Sequence, residues 1–173
     1  MMSDLLVWVH SVLATTPQRW LELTSSLPEE LLTMAPLEGE WSAAACLQHL
    51  VDTERAVFPV RVQAILEGKE SFPAFNPEQE GTSSGIRSPQ ELAAEFARLR
   101  ESALKIFDKV TPADLAKGSR HRELGAVTMS ELLHEWAGHD LMHTVQAERA
   151  LMQPFIRGCG AWQVYFQDHI ARK

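Results

Sequence analysis

Between Ser88 and Thr111, apolar side chains fall at Leu92, Phe96, Leu99, Ala103, Ile106 and Val110, in alternating steps of four and three. Such steps keep side chains on one face of a helix, whereas a half-buried strand needs every second residue. A helix with one apolar stripe must bury that stripe against other helices. Ser88-Pro89 supplies an N-cap and a proline at the first helical position, and Thr111-Pro112 ends the run. The chain is therefore committed to a fold in which helices pack on helices.

The remaining segments fit that frame. Residues 4–14 carry Leu5, Val9 and Val12 at helical spacing, and Thr16-Pro17 predicts that the helix restarts there, with Trp20, Leu23 and Leu27 continuing the stripe. Prolines and glycine make 28–40 an irregular passage with a short helical turn at 29–34. Ser42 is the expected cap of a helix over 43–68, with Trp41 stapling its entry, and Pro59 predicts a kink near 55–59. Residues 69–87, rich in Pro, Gly and Ser, read as a long loop, either a lid or a surface excursion pinned by Phe72 and Phe75. Residues 113–127 read as a connection. Thr128 or Ser130 caps a helix running to about Met152, before Pro154, Gly158 and Gly160 interrupt; residues 161–171 suggest a closing amphipathic piece. No window argues for a strand and no repeat is present. The expected fold is all-α: a four-helix bundle with short additional N- and C-terminal helices, one domain over 1–173.

Bulk properties exclude several functions. The formal charge of −7, with scattered Lys and Arg, opposes binding to a nucleic-acid backbone. No segment approaches the roughly 18–20 apolar residues of a membrane span, and the N-terminus lacks the pattern of a secretory signal. Cys46 and Cys159 make no disulfide framework. These features predict a cytoplasmic protein with no nucleic-acid and no membrane partner; a small-molecule substrate is expected from the site described next.

The chemistry centres on Ser130–Gln146. His139 and His143 lie four residues apart, so their imidazoles share a helix face and can hold one divalent ion. At about 100° per residue, His134 is turned about 140° from His139 and about 180° from His143, which removes it from that face. His49, near the start of the helix that must pack beside this one, is the natural third ligand. Three imidazoles suit zinc, nickel or iron and leave a coordination position open. The same arithmetic places Asp52 beside His49, and Glu135, Trp136 and Gln146 beside the other two. Asp52, Glu135 and Gln146 are candidates to orient imidazoles or a water molecule. Trp41 and Trp136 are candidate pocket walls, and Arg55 and Arg149 candidate binders of an anionic group. Cys46 reads as a small buried hydrophobe, and His10, His121 and His169 as surface residues. The HExxH zinc-protease helix is excluded: His134–His139 has one residue too many, and His139–His143 carries Asp where that motif needs Glu.

Gly39-Glu40-Trp41-Ser42, then Gln48-His49-Leu50-Val51-Asp52-Thr53-Glu54, then His139-x-x-x-His143-x-x-Gln146 resemble the DinB/YfiT-like family, small four-helix proteins regarded as metal-dependent enzymes. The resemblance spans most of the chain. It implies a bundle with an unusual helix connection, a three-histidine metal site and a homodimer. It also implies a metal that activates a low-molecular-weight thiol, as in thiol-dependent transferases and isomerases of the family. The expected function is that of a metal-dependent transferase or hydrolase, using His49, His139 and His143 to activate a thiol or water against a small electrophile. The alternative is a non-catalytic dimeric bundle, stress-associated or ligand-binding, whose metal is structural or absent.

Overall fold

The protein was analysed as a computed structural model, which describes residues 2–72 and 87–171. Four long elements form the bundle: α1 (Met2–Ser26), α3 (Ala43–Ala56) continued by α4 (Phe58–Leu66), α5 (Pro89–Phe107) and α6 (Met129–Gly158), with a short α2 (Glu29–Thr33) between the first two. Helix α5 packs on both α1 and α3, and α6 lies against the same pair. The expected all-α bundle is what is observed. Most of the expected loop, residues 73–86 including Phe75, lies outside the described residues.

Local signals account for the ends. Ser42 caps α3 by accepting the Ala45 N–H at 3.2 Å, and Ser88 and Thr128 close reciprocal capping boxes with Glu91 and Glu131. The kink expected from Pro59 is a full break at Val57 (φ −117°, ψ −75°), which re-aims α4.

Two prolines expected to interrupt helices do not. Helix α1 runs unbroken through Pro17, and α6 through Pro154. Proline at 17 removes the N–H that would have bonded the carbonyl of Leu13, four residues earlier. That carbonyl accepts instead from Nη1 of Arg100 at 2.9 Å. Thr16, expected as a cap, turns its hydroxyl back onto the Val12 carbonyl at 2.8 Å. A tertiary donor has replaced the missing helical one, so the helix continues.

Strands were not expected, yet 113–127 holds a 3₁₀ turn (Pro112–Asp114) and the first strand of an antiparallel hairpin, β1 (Gly118–His121) with β2 (Gly125–Thr128). Four-residue strands are too short to show alternation in sequence. Gly118 is required, because a Cβ there would lie 2.5 Å from the Val127 carbonyl oxygen. Residues 70–72 run beside β1, with the Phe72 N–H on the Arg120 carbonyl and the Arg120 N–H on the Glu70 carbonyl. The C-terminal piece is a 3₁₀ segment (Gly160–Phe166) that leaves Trp162, Val164 and Tyr165 exposed, so it does not pack as the amphipathic helix expected.

The core has two apolar layers. One gathers Leu5, Leu13, Phe58, Val62, Phe107 and Trp136, and the other Trp20, Leu47, Leu50, Phe96 and Leu151. At the level where they meet sit three fully buried charged groups. Arg100 donates to Glu54 (2.6 and 2.9 Å) and to Asp140 (2.7 and 3.0 Å), as well as to Leu13. All five guanidinium N–H groups are thereby used. Burial pulls the Arg100 pKa down, but Asp140 and Glu54 outweigh it and hold the guanidinium above its ordinary value. The ring faces of Phe96 and Trp136 flank the cation at 4.8 and 5.4 Å. Burial raises the Glu54 pKa, with Arg100 opposing the shift.

Candidate metal centre

The three expected histidines converge at that same level. His49 comes from α3 and His139 and His143 from successive turns of α6, and their candidate ligand nitrogens all lie within 4.8 Å of one another. Nε2 of His49 and Nε2 of His139 are 3.1 Å apart. Nδ1 of His143 meets Oε1 of Gln146 at 2.9 Å. An amide oxygen only accepts, so Nδ1 carries the proton and the lone pair of Nε2 is free.

Burial, with His143 close by, pushes the His49 pKa down to about 4. Burial, with both other histidines and Arg100 nearby, takes His139 to about 3. Burial lowers His143 as well, with Gln146 and Asp140 opposing the shift. All three rings are therefore neutral at pH 7 and turn electron-rich nitrogens toward one another. Nδ1 of His139 is buried and has no hydrogen-bond partner, which leaves Nε2 as the nitrogen shared with its neighbours. A divalent cation fits this cluster: it would relieve lone-pair repulsion between neutral ligands, and nitrogens on one tetrahedral ion with about 2.0–2.1 Å bonds sit roughly 3.3 Å apart.

Aromatic rings hold the imidazoles in place. Trp41 stacks on His143 (5.7 Å, 20°) and lies at 51° to His49, with centroids 5.0 Å apart. Phe58 presents its face and edge to His139 at 5.0 Å and 61°. Gly39, at φ +83°, makes the turn that brings the next residues over the centre, a backbone shape that L side chains rarely adopt. The Gly39–Ser42 motif thus sets a tryptophan over the histidines and caps α3 at the very next residue.

The other predicted residues divide. Gln146, Trp41 and Arg149 line a cavity of about 410 Å³ beside His143, together with Glu40 and Ala150. Arg149 is already engaged there, donating to the carbonyls of His169 and Ile170 at 3.2 and 2.9 Å. Trp136 is not a pocket wall. It is wholly buried, donates its indole N–H to Glu54 at 3.2 Å and stacks behind Phe58. Asp52 does not reach an imidazole: it accepts from Gln48 at 2.9 Å and faces Arg55 at 3.5 Å. Arg55 is likewise taken up by Glu95, which also pairs with Arg87, while Arg87 donates to Gln48 at 3.0 Å. This closed ring of polar groups fixes the start of α5 beside α3. Glu135 is exposed and faces Arg61 rather than the histidines. Cys46 is buried in the apolar layer, and burial pushes its thiol up to about 11. His134 is exposed and bonds the Ser130 carbonyl locally.

Sequence reasoning missed the Arg100–Glu54–Asp140 cluster beneath the centre. A signal was present: Arg100 falls four residues after Phe96 and three before Ala103, inside the buried stripe.

In this all-α bundle three converging neutral imidazoles meet at one level, a group that could hold a metal ion. The chain belongs to the DinB superfamily, whose family model matches residues 13–147. It is 21% identical over 149 residues, 86% of each chain, to a protein of Oceanobacillus iheyensis named "Putative metal-dependent hydrolase". Its fold is similar to that of YfiT from Bacillus subtilis, with a TM-score of 0.74, 14% identity and 87% of each chain covered. That structure is described as a probable metal-dependent hydrolase with an unusual four-helix bundle topology.

Proposed function

We propose that this protein is a metal-dependent enzyme, a hydrolase or thiol transferase acting on a small electrophile, with His49, His139 and His143 holding the ion. The observation that carries the reading is the convergence of three candidate ligand nitrogens within 4.8 Å, with no acidic or cysteine side chain in the group. Among the described residues neither Cys46 nor Glu135 closes a fourth protein position, which favours catalysis over a purely structural ion. Held by His49, His139 and His143, a divalent ion would lower the pKa of a bound water or thiol and so would make a nucleophile available near neutral pH.

The chain's own residues prepare the site. Gln146 fixes the His143 tautomer so that Nε2 is presented. Trp41 covers His49 and His143 from the solvent side. The cavity beside His143 is within the usual size range of small-molecule sites, about 300–1,000 Å³.

The test is turnover by protein loaded with zinc, nickel or iron(II). p-Nitrophenyl acetate would report hydrolysis, and 1-chloro-2,4-dinitrobenzene with cysteine would report thiol transfer. At least one loaded form should exceed both metal-free protein and His49→Ala. Equal rates in loaded, metal-free and His49→Ala protein would reject the proposal.

A further inference from the structure

Residues 167–171 form a wall of the cavity beside His143. Ala171 lines that cavity together with Trp41, His143, Gln146 and Arg149. His143 and Arg149 are six residues apart on α6, so the cavity extends about 9 Å along the helix from the histidines. Two side chains of α6 hold the wall. Arg149 donates through Nε to the His169 carbonyl at 3.2 Å and through Nη2 to the Ile170 carbonyl at 2.9 Å. Gln153 donates to the His169 carbonyl at 2.9 Å, and its Oε1 accepts the Ala171 N–H at 2.9 Å. Its Nε2 also bonds the Arg149 carbonyl at 2.8 Å, which fixes this buried anchor to its own helix. His143, Gln146, Arg149 and Gln153 follow one another in steps of three and four, so these anchors share a helix face with the histidine. Apolar burial does little to keep the wall in place, because no residue from 160 to 171 is buried. A segment with few buried apolar contacts opens locally at a fraction of the global unfolding free energy. When it parts, its carbonyls and the donors that meet them turn to water, so opening exchanges hydrogen bonds and orphans none.

We propose that residues 167–171 are a latched wall that controls entry to the cavity beside His143, with Arg149 and Gln153 as the latch. Closed, the wall bounds the cavity and screens the His143 ring, which is only 5% exposed although it lines the cavity. Released, it opens a path along α6 to that ring. Arg149 is thus a positioning residue, which acts through the wall and not on the substrate. The inference assigns the regulation of the site proposed above and rests on that reading for its role in turnover. The screening of His143 does not depend on a metal.

The experiment measures carbethoxylation of His143 by diethyl pyrocarbonate in the full, metal-free chain at pH 7, with each histidine read by peptide mass spectrometry. Arg149→Met combined with Gln153→Leu should react about tenfold faster at His143, the change in an open-to-closed ratio expected from losing one charge-assisted hydrogen bond. Ala171→Trp leaves the latch side chains in place and puts bulk into the cavity, so His143 should react more slowly than in wild type. His10 and His134 are exposed and line no part of the cavity, so their rates should not change. Hydrogen exchange should quicken in residues 167–171 of the double variant and stay as in wild type in α5. Three results would each overturn the proposal: an unchanged His143 rate in the double variant, a rate in Ala171→Trp that does not fall, or quickened exchange of α5, which would trace the effect to a loosened bundle. Because the chain is metal-free throughout, the wall can fail this test while metal-dependent turnover stands, and can pass it if no metal is ever found.

Discussion

Replacing Arg100 with methionine should unfold much of the margin that keeps this bundle folded. The change keeps the apolar stem and deletes the cation, so Glu54 and Asp140, whose side chains are each about 1% exposed, lose their one cationic partner among the described residues. Removing one member of a buried ion pair typically costs about 3–5 kcal/mol, because the survivor stays buried and uncompensated. The Leu13 carbonyl, already without a helical donor because of Pro17, becomes unpaired for about 1–3 kcal/mol more. Protonation of the two carboxyls limits the total, so a loss of about 4–6 kcal/mol is expected, against typical domain stabilities of about 5–15 kcal/mol. Urea unfolding of metal-free protein at pH 7, followed by circular dichroism, measures it without the added stability of ligand binding. Two companions test the mechanism. Arg100→Met with Glu54→Leu and Asp140→Leu should recover most of the loss, since a buried ionic set can be replaced by apolar groups at little net cost. Pro17→Ala should stabilise Arg100→Met by about 1 kcal/mol more than it stabilises wild type, because only in the variant does the restored N–H meet an unpaired carbonyl. A loss below about 1.5 kcal/mol in Arg100→Met, or no coupling to Pro17→Ala, would refute this account of the core.

Other consequences are more local. His49 and His139 are depressed to about 4 and about 3 in the folded chain, against about 6.5 when unfolded. The unfolded state therefore binds more protons between those values, so metal-free protein should keep this stability above about pH 6.5 and lose it progressively toward pH 4; a flat stability profile in chemical denaturation across pH 4.5–7 would contradict the shifts. Gln146→Leu removes the acceptor that fixes His143 and should weaken metal affinity by about 10–100-fold in competition with a chelator, with little change in the unfolding midpoint of the metal-free form. Gly39→Ala meets no steric clash but forces a left-handed residue, so it should cost about 1–2 kcal/mol in urea unfolding and loosen Trp41 over the histidines, seen as red-shifted tryptophan emission.

The helices and the pairing of His139 with His143 were legible because both depend on short-range periodicity, and His49 joins that pair once α3 packs beside α6. Spacing of three and four residues gave α5 its stripe, paired His139 with His143 and set His134 apart, and the break at Val57 fell inside the window that Pro59 implied. What escaped depends on partners distant in sequence. Pro17 looked like a restart because nothing nearby announces that Arg100, far along the chain, supplies the missing donor. Trp136 shares a face with His139 by angle, but Phe58 and Glu54 take it into the core. Arg61 and His121 meet only because β1 and residues 70–72 fold beside α4, and strands that short leave no pattern. Asp52 shares the His49 face by angle, yet Gln48 and Arg55 engage it first, and Glu95 takes up Arg55 in turn.

The most direct measurement is the metal content of untagged protein by elemental analysis, combined with X-ray absorption at the edge of the metal found. The account predicts one divalent ion per chain with three imidazole nitrogens in its coordination shell, lost in His49→Ala, His139→Ala and His143→Ala alike. Protein with no stoichiometric divalent ion even after incubation with zinc, nickel or iron(II), or an ion that survives all three substitutions, would contradict it.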